Sequence, residues 1–186
     1  MKGLYLIALL PGADISEQIH EIRLECSEKF DVYKALRPPV HITLYPPFYF
    51  DEANEKRLIY VLHQQTRGLS SFTQLIANFG HFRKEVVFVN ALNSPGLTSL
   101  HESIIAVFRK ANDKQVFKPV AFHPHLTIAY RDITPEKFDR IWGEYNNREY
   151  KTSFIADHFT LLKHDRIKWN PIANFKLGGT GQPSGW

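Results

Sequence analysis

His41-Ile42-Thr43-Leu44 and His125-Leu126-Thr127-Ile128 are one pattern written twice: histidine, apolar, threonine, apolar. Alternation with a period of two marks a half-buried β-strand. On such a strand His41 and Thr43 share one face, and Ile42 and Leu44 share the other. His125 and Thr127 repeat the arrangement. Each copy presents one imidazole and one hydroxyl on the face not used for the core. Two such faces brought together would hold two histidines and two threonines around one small polar ligand.

The chain of 186 residues is long enough for one domain, or for two small lobes sharing a core. Its hydrophobic fraction of 44% is ordinary for a globular protein. No apolar run approaches the roughly 20 residues that a membrane helix needs. Leu4 to Leu10 lacks a cleavage pattern and reads as the first strand, so the expected location is cytoplasmic, away from any membrane. Cys26 is the single cysteine, which excludes an internal disulfide. It falls on the apolar stripe of a helix and reads as a buried small hydrophobe. The formal charge of +4 suits an anionic ligand, since a positive field raises the local anion concentration.

Taken in order, the chain opens with a strand ended by Pro11-Gly12. A helix follows from about Asp14, with Asp14 as N-cap and Glu17 three residues on. Ile15, Ile19, Ile22, Cys26 and Phe30 make its apolar stripe. Arg37-Pro38-Pro39 forces extended chain into the first motif strand, which Pro46-Pro47 is expected to end. A second helix runs from about Glu52 to Arg67. Strands from about Phe72 to Phe82 and Val86 to Leu92 form a hairpin around Arg83-Lys84-Glu85. A third helix carries Leu97, Leu100, Ile104, Val107, Phe108 and Ala111 on its apolar face, and the second motif strand follows Pro119. Thr134-Pro135 opens a fourth helix. One long strand from Tyr150 to Lys163 and another from Pro171 to Leu177 close the fold. Residues 178–186, rich in Gly, Ser and Pro, read as a flexible C-terminal tail on a single two-lobed domain of residues 1–177.

The order is a duplication. Asp14 lies 27 residues before His41, and Leu97 lies 28 before His125. Each motif strand is followed by a loop, a helix and two strands. Repeated order at nearly equal spacing predicts an α+β fold of two antiparallel lobes related by a pseudo-twofold axis, with helices outside and a central cleft.

A symmetric histidine pair suits phosphodiester chemistry. One neutral imidazole takes a proton from attacking water, and the other, protonated, gives one to the leaving oxygen. Thr43 and Thr127 can donate to non-bridging oxygens, where charge builds in the transition state. Neither metal, cofactor nor side-chain nucleophile is required.

The two motifs with their flanks, from His41 to Phe48 and from Phe122 to Ala129, resemble the 2H phosphoesterase superfamily, in its branch of bacterial 2'-5' RNA ligases and cyclic phosphodiesterases. Trp169 to Leu177 is similar to that family's closing strand. The resemblance covers the chain from about Leu4 to Leu177. It implies His41, Thr43, His125 and Thr127 as the catalytic set, with His41 serving the leaving group and His125 activating water. The implied substrate is an RNA or nucleotide end bearing a 2',3'-cyclic phosphate or 2'-5' linkage, and the protein is expected to act as a monomer. The same site run backwards would ligate.

Three further residues are candidate substrate contacts. Tyr45 continues the His41 face, Arg131 continues the His125 face, and Tyr130 takes the place where the family often carries a basic residue. Tyr130, Tyr49 and Phe48 can stack a base, and Arg37, Arg83 and Lys163 can line the cleft. Two other readings stay open: a non-catalytic RNA- or nucleotide-binding module, and a zinc hydrolase using His41, His123 and His125.

Overall fold

A computed structural model describes residues 1–110, 121–178 and 184–185. Its strands are β1 (Lys2–Leu9), β2 (Ile42–Asp51), β3 (Phe72–Phe82), β4 (Val86–Ala91), β5 (His125–Tyr130), β6 (Lys151–Ala156), β7 (His158–His164), β8 (Trp169–Lys176) and the two-residue β9 (Ser184–Gly185). The helices are α1 (Ala13–Phe30), α2 (Glu55–Thr66), α3 (Pro95–Lys110) and α4 (Pro135–Tyr145). The strands form one antiparallel sheet in the order β6-β3-β4-β5-β2-β1-β7-β8-β9.

That order carries the duplication. Outward from the β5/β2 junction, β4, β3 and β6 on one side mirror β1, β7 and β8 on the other. The junction is slight, with Ile42 opposite Leu126 as the one bridge between β2 and β5. The sheet must also curl. Only Asp157 separates β6 from β7, yet five strands lie between them in the sheet. Laid flat, those six intervals would span roughly 28 Å, far beyond the reach of two residues. The expected single strand from Tyr150 to Lys163 is therefore two strands, one in each lobe.

The helices cover the outer face and exchange lobes: α1 packs against β5, and α3 against β2. Between helices and sheet lies the main core, which includes Ile7, Ile19, Ile42, Leu44, Leu126 and Ile128. The opposite face lines the cleft. Cys26 is fully buried, and burial pushes its thiol up to about 12.

Several expectations need correction. Helix α1 starts at Ala13, and its N-cap position is Gly12 with no side-chain cap bond, so Asp14 lies inside the first turn. Pro46-Pro47 does not end β2, which runs on to Asp51. Two register shifts against β1 carry the strand past these prolines, and a bulge is where a strand tolerates a missing N–H. The β3–β4 hairpin and the Thr134 cap of α4 are as expected, with Thr134 Oγ1 accepting from Lys137 N at 3.3 Å. Ala111, the approach past Pro119 and most of the tail lie outside the described residues. Ser184 and Gly185 pair with Asn174 and Ala173 of β8.

Candidate active site

The Ile42–Leu126 bridge sets the two motifs side by side. Both residues turn into the core. Continuing the antiparallel register places His41 across from Thr127, and Thr43 across from His125, on the cleft face. All four are partly exposed.

The two imidazoles are held alike. His41 Nδ1 lies 2.8 Å from Pro39 O, and His125 Nδ1 lies 2.7 Å from His123 O. A carbonyl only accepts, so each Nδ1 carries the proton, and Nε2 is left for a substrate. Burial dominates the titration of both rings. It pushes His41 down to about 4; the bond to Pro39 O opposes this, while the charges of Arg23 and His125 add to it. His125 is also held below the ordinary histidine value, again chiefly by burial.

A bulge repeats in both motif strands. Against β1, Ala8 pairs with Thr43 and Ile7 with Tyr45, which leaves Leu44 extra. Against β4, Phe88 pairs with Thr127 and Val87 with Ala129, which leaves Ile128 extra. Each bulge reverses the alternation just beyond the motif. Tyr45 therefore turns into the core, at 1% exposure, and its ring stacks on Phe108 at 3.8 Å. This corrects its expected place on the His41 face. The same bulge puts Tyr130 on the cleft face beside Thr127. Arg131 does not continue that face. It takes φ 69° where β5 ends, is exposed, and lays its guanidinium over the Tyr130 ring at 5.2 Å.

The other suggested contacts also sort out. Phe48 is buried against Tyr45 and Phe108, so it cannot stack a base. Lys163 pairs with Glu55 at 2.8 Å and Glu52 at 3.5 Å, and so is engaged away from the motifs. Arg83 stands in the β3–β4 turn at φ 49°. Among the described residues no three His, Cys, Asp or Glu side chains converge as a metal site.

Two features went unread in the sequence. The first is an aromatic wall behind His125, whose ring meets Phe88 at 4.8 Å and Phe82 at 5.0 Å; Phe82 also meets His123 at 4.9 Å. The second is Arg23, only 1% exposed on the inner face of α1. Its Nε donates to Thr127 O at 2.8 Å and its Nη1 to Pro38 O at 3.1 Å. A charged residue between Ile19, Ile22 and Cys26 on an apolar stripe was the available signal. A groove of about 590 Å³ between α1 and residues 36–40 is lined by Arg23, Arg37 and His20, but by neither motif histidine.

With this geometry in view, comparison with known proteins is informative. Residues 11–168 match the model of the 2'-5' RNA ligase superfamily. The chain belongs to that superfamily. A Bacillus cytotoxicus protein named "Putative phosphoesterase" is 28% identical over 175 residues, covering 92% of this chain and 95% of the relative. A namesake from Bacillus licheniformis is 27% identical over 177 residues, covering 94% and 98%. Among solved structures, E. coli LigT complexed with 3'-AMP superposes with a TM-score of 0.67 at 19% identity, covering 96% of this chain and all of that one. The Thermus thermophilus protein TT0787 gives the same score at 15% identity, covering 96% and 100%. These structures share the curled two-lobed fold. The superfamily supports phosphodiesterase chemistry in general, and no described helix is long and apolar enough to cross a membrane.

Proposed function

We propose that this protein is a metal-independent phosphodiesterase that opens a 2',3'-cyclic phosphate, or cleaves a 2'-5' linkage, at the end of an RNA or nucleotide. The same site run in reverse would act as a 2'-5' ligase. One observation carries the reading. Two imidazoles, each with Nδ1 tied to the carbonyl two residues back, flank one junction of two strands, near enough that the charge of His125 acts on His41. Such a pair supplies a proton acceptor and a proton donor on either side of a phosphorus. Each proton transfer by a positioned group is worth roughly 10²–10⁴ in rate. Thr43 and Thr127 would donate to the non-bridging oxygens. Tyr130 and the Phe82–His123 pair stand where an unpaired base could lie. That LigT of this fold has been crystallised with 3'-AMP, with ATP and with NADP+ supports a nucleotide ligand.

The test uses wild type, His41→Ala and His125→Ala in EDTA, with a nucleoside 2',3'-cyclic phosphate and a cyclic-phosphate-ended RNA. Opening by wild type, lost in both variants, is the expected result, and separating 2'- from 3'-phosphate products tells which bond breaks. Binding without turnover would make the protein a recognition module. Activity only on adding zinc would move the chemistry to His41, His123 and His125.

A further inference from the structure

The pseudo-twofold axis makes the two motifs equivalent, but acid–base chemistry needs them different. One group in the structure breaks the symmetry. Beyond the Ile42–Leu126 bridge the β2–β5 ladder stops, and the Arg23 guanidinium fills the gap from the helix side. It takes Thr127 O of one strand with Nε and Pro38 O, ahead of the other strand, with Nη1. The next carbonyl, Pro39 O, holds His41. One planar cation thus ties together the backbone that carries Thr127 and the backbone that orients His41.

The third nitrogen, Nη2, is buried and has no hydrogen-bond partner. Among the described residues no carboxylate pairs with Arg23. Burying a cation without a counter-charge is costly, and a purely structural clamp could be built from neutral groups. Among the described residues, a charge at this helix position is present on one side only. Arg23 lies 18 residues before His41; the matching positions before His125 are Ala106 or Val107, neither of them charged.

We propose, resting on the phosphodiesterase reading above, that Arg23 is a positioning residue which clamps the two motif strands at their junction and fixes a positive charge beside His41. His41 is then the proton acceptor and His125 the proton donor, the reverse of the roles that the family resemblance implies. Among the described residues, the charged and titratable groups facing His41 are Arg23 from α1 and His125 from β5, with Tyr130 of β5 facing Arg23 in turn. Two cations next to one imidazole oppose its protonation, adding to the larger effect of burial on His41. Among the described residues His125 faces His41 across the junction and His123 on its own strand, but no permanently charged group.

The experiment is an NMR titration of the His41 imidazole in wild type, Arg23→Lys and Arg23→Met. It needs the folded protein but no turnover. In Arg23→Met, His41 is expected to titrate at higher pH than in wild type. In Arg23→Lys it should stay close to wild type, because the charge remains, while kcat falls because the two-point clamp is lost. A folded Arg23→Met with unmoved His41 overturns the proposal. If the Met variant does not fold, Arg23→Lys decides alone: a His41 that titrates there like an ordinary histidine overturns it.

The polarity is read separately with an aryl phosphodiester whose leaving group, p-nitrophenolate, needs no proton donor. Rescue is expected in His125→Ala and not in His41→Ala; any other pattern overturns the assignment. Wild type that opens no cyclic phosphate, yet shows the expected titrations, would sink the phosphodiesterase reading and leave the fixed charge standing.

Discussion

Ile42 stands opposite Leu126 in the one backbone bridge that, among the described residues, joins the two halves of the sheet, and both side chains are fully buried. This contact fixes the register on which the active site depends. Truncating Leu126 to alanine is expected to cost about 2–5 kcal/mol, the range for a buried leucine. Turnover should fall beyond what the folded fraction explains, because the motifs face each other only in this register. Urea unfolding and kcat measured on the folded variant check the two effects. A stability loss with kcat intact would show that the cleft does not need the bridge.

The pH dependence of kcat/KM follows from the two rings. Under the assignment of His41 as acceptor, activity is lost as His41 takes a proton near pH 4, and lost again as His125 gives its proton up below the ordinary histidine value of 6.5. The free-enzyme profile is therefore a bell centred on the acid side of 6.5. A bound phosphodiester anion raises both values, so the kcat profile lies at higher pH than that of kcat/KM. A kcat/KM optimum above neutrality would contradict the burial of these rings.

The same depression of His41 links to stability. Its folded value of about 4 is below the 6.5 of an unperturbed imidazole, so the unfolded chain binds the proton first. The contribution is fully present above pH 6.5 and is lost as pH falls toward 4. The loss is on the order of 2–3 kcal/mol. Wild type should lose stability over this window more steeply than His41→Gln, as measured by denaturant unfolding at a series of pH values. Parallel slopes would mean that His41 titrates normally in the folded protein.

Much of this was legible in the residues, for reasons that also explain the misses. The His-x-Thr-x copies are local patterns with a period of two, so both motif strands could be read directly. The duplication showed in spacing alone. The junction of the lobes was not readable, because Ile42 meets Leu126 across 84 positions and no local pattern encodes that pairing. Splitting 150–163 at Asp157 is likewise a demand of the sheet's closure, not of propensity. Arg23 was visible as a charge on an apolar stripe, but its partners are carbonyls of Thr127 and Pro38, and carbonyls leave no mark in a sequence.

Gly80 underlies the wall behind His125. A Cβ there would lie 2.6 Å from the Phe88 ring, closer than any real contact, and Phe88 in turn packs on His125 at 4.8 Å. Gly80→Ala must push that ring toward the imidazole. The expected cost is about 1–3 kcal/mol of stability, as for other overpacked sites, with a fall in kcat because His125 is displaced. Gly80→Ala combined with Phe88→Leu, which frees the space, should recover part of both. Wild-type kcat in Gly80→Ala alone would separate the wall from the chemistry.

Tyr45 tests the bulge itself. Strict alternation from His41 would put its ring in the cleft, and Tyr45→Ala would then weaken substrate binding and leave stability nearly alone. The extra residue at Leu44 turns it the other way, onto Phe108 at 3.8 Å and beside Phe48 at 5.3 Å. Tyr45→Ala should therefore cost about 3–5 kcal/mol, the range for a large buried ring, while the folded variant keeps a wild-type KM. Tyr130→Ala should behave oppositely, because the matching bulge at Ile128 brings Tyr130 out beside Thr127. Its KM should rise with little loss of stability. Both variants raising KM equally would mean that the two motif strands do not share this bulge in solution.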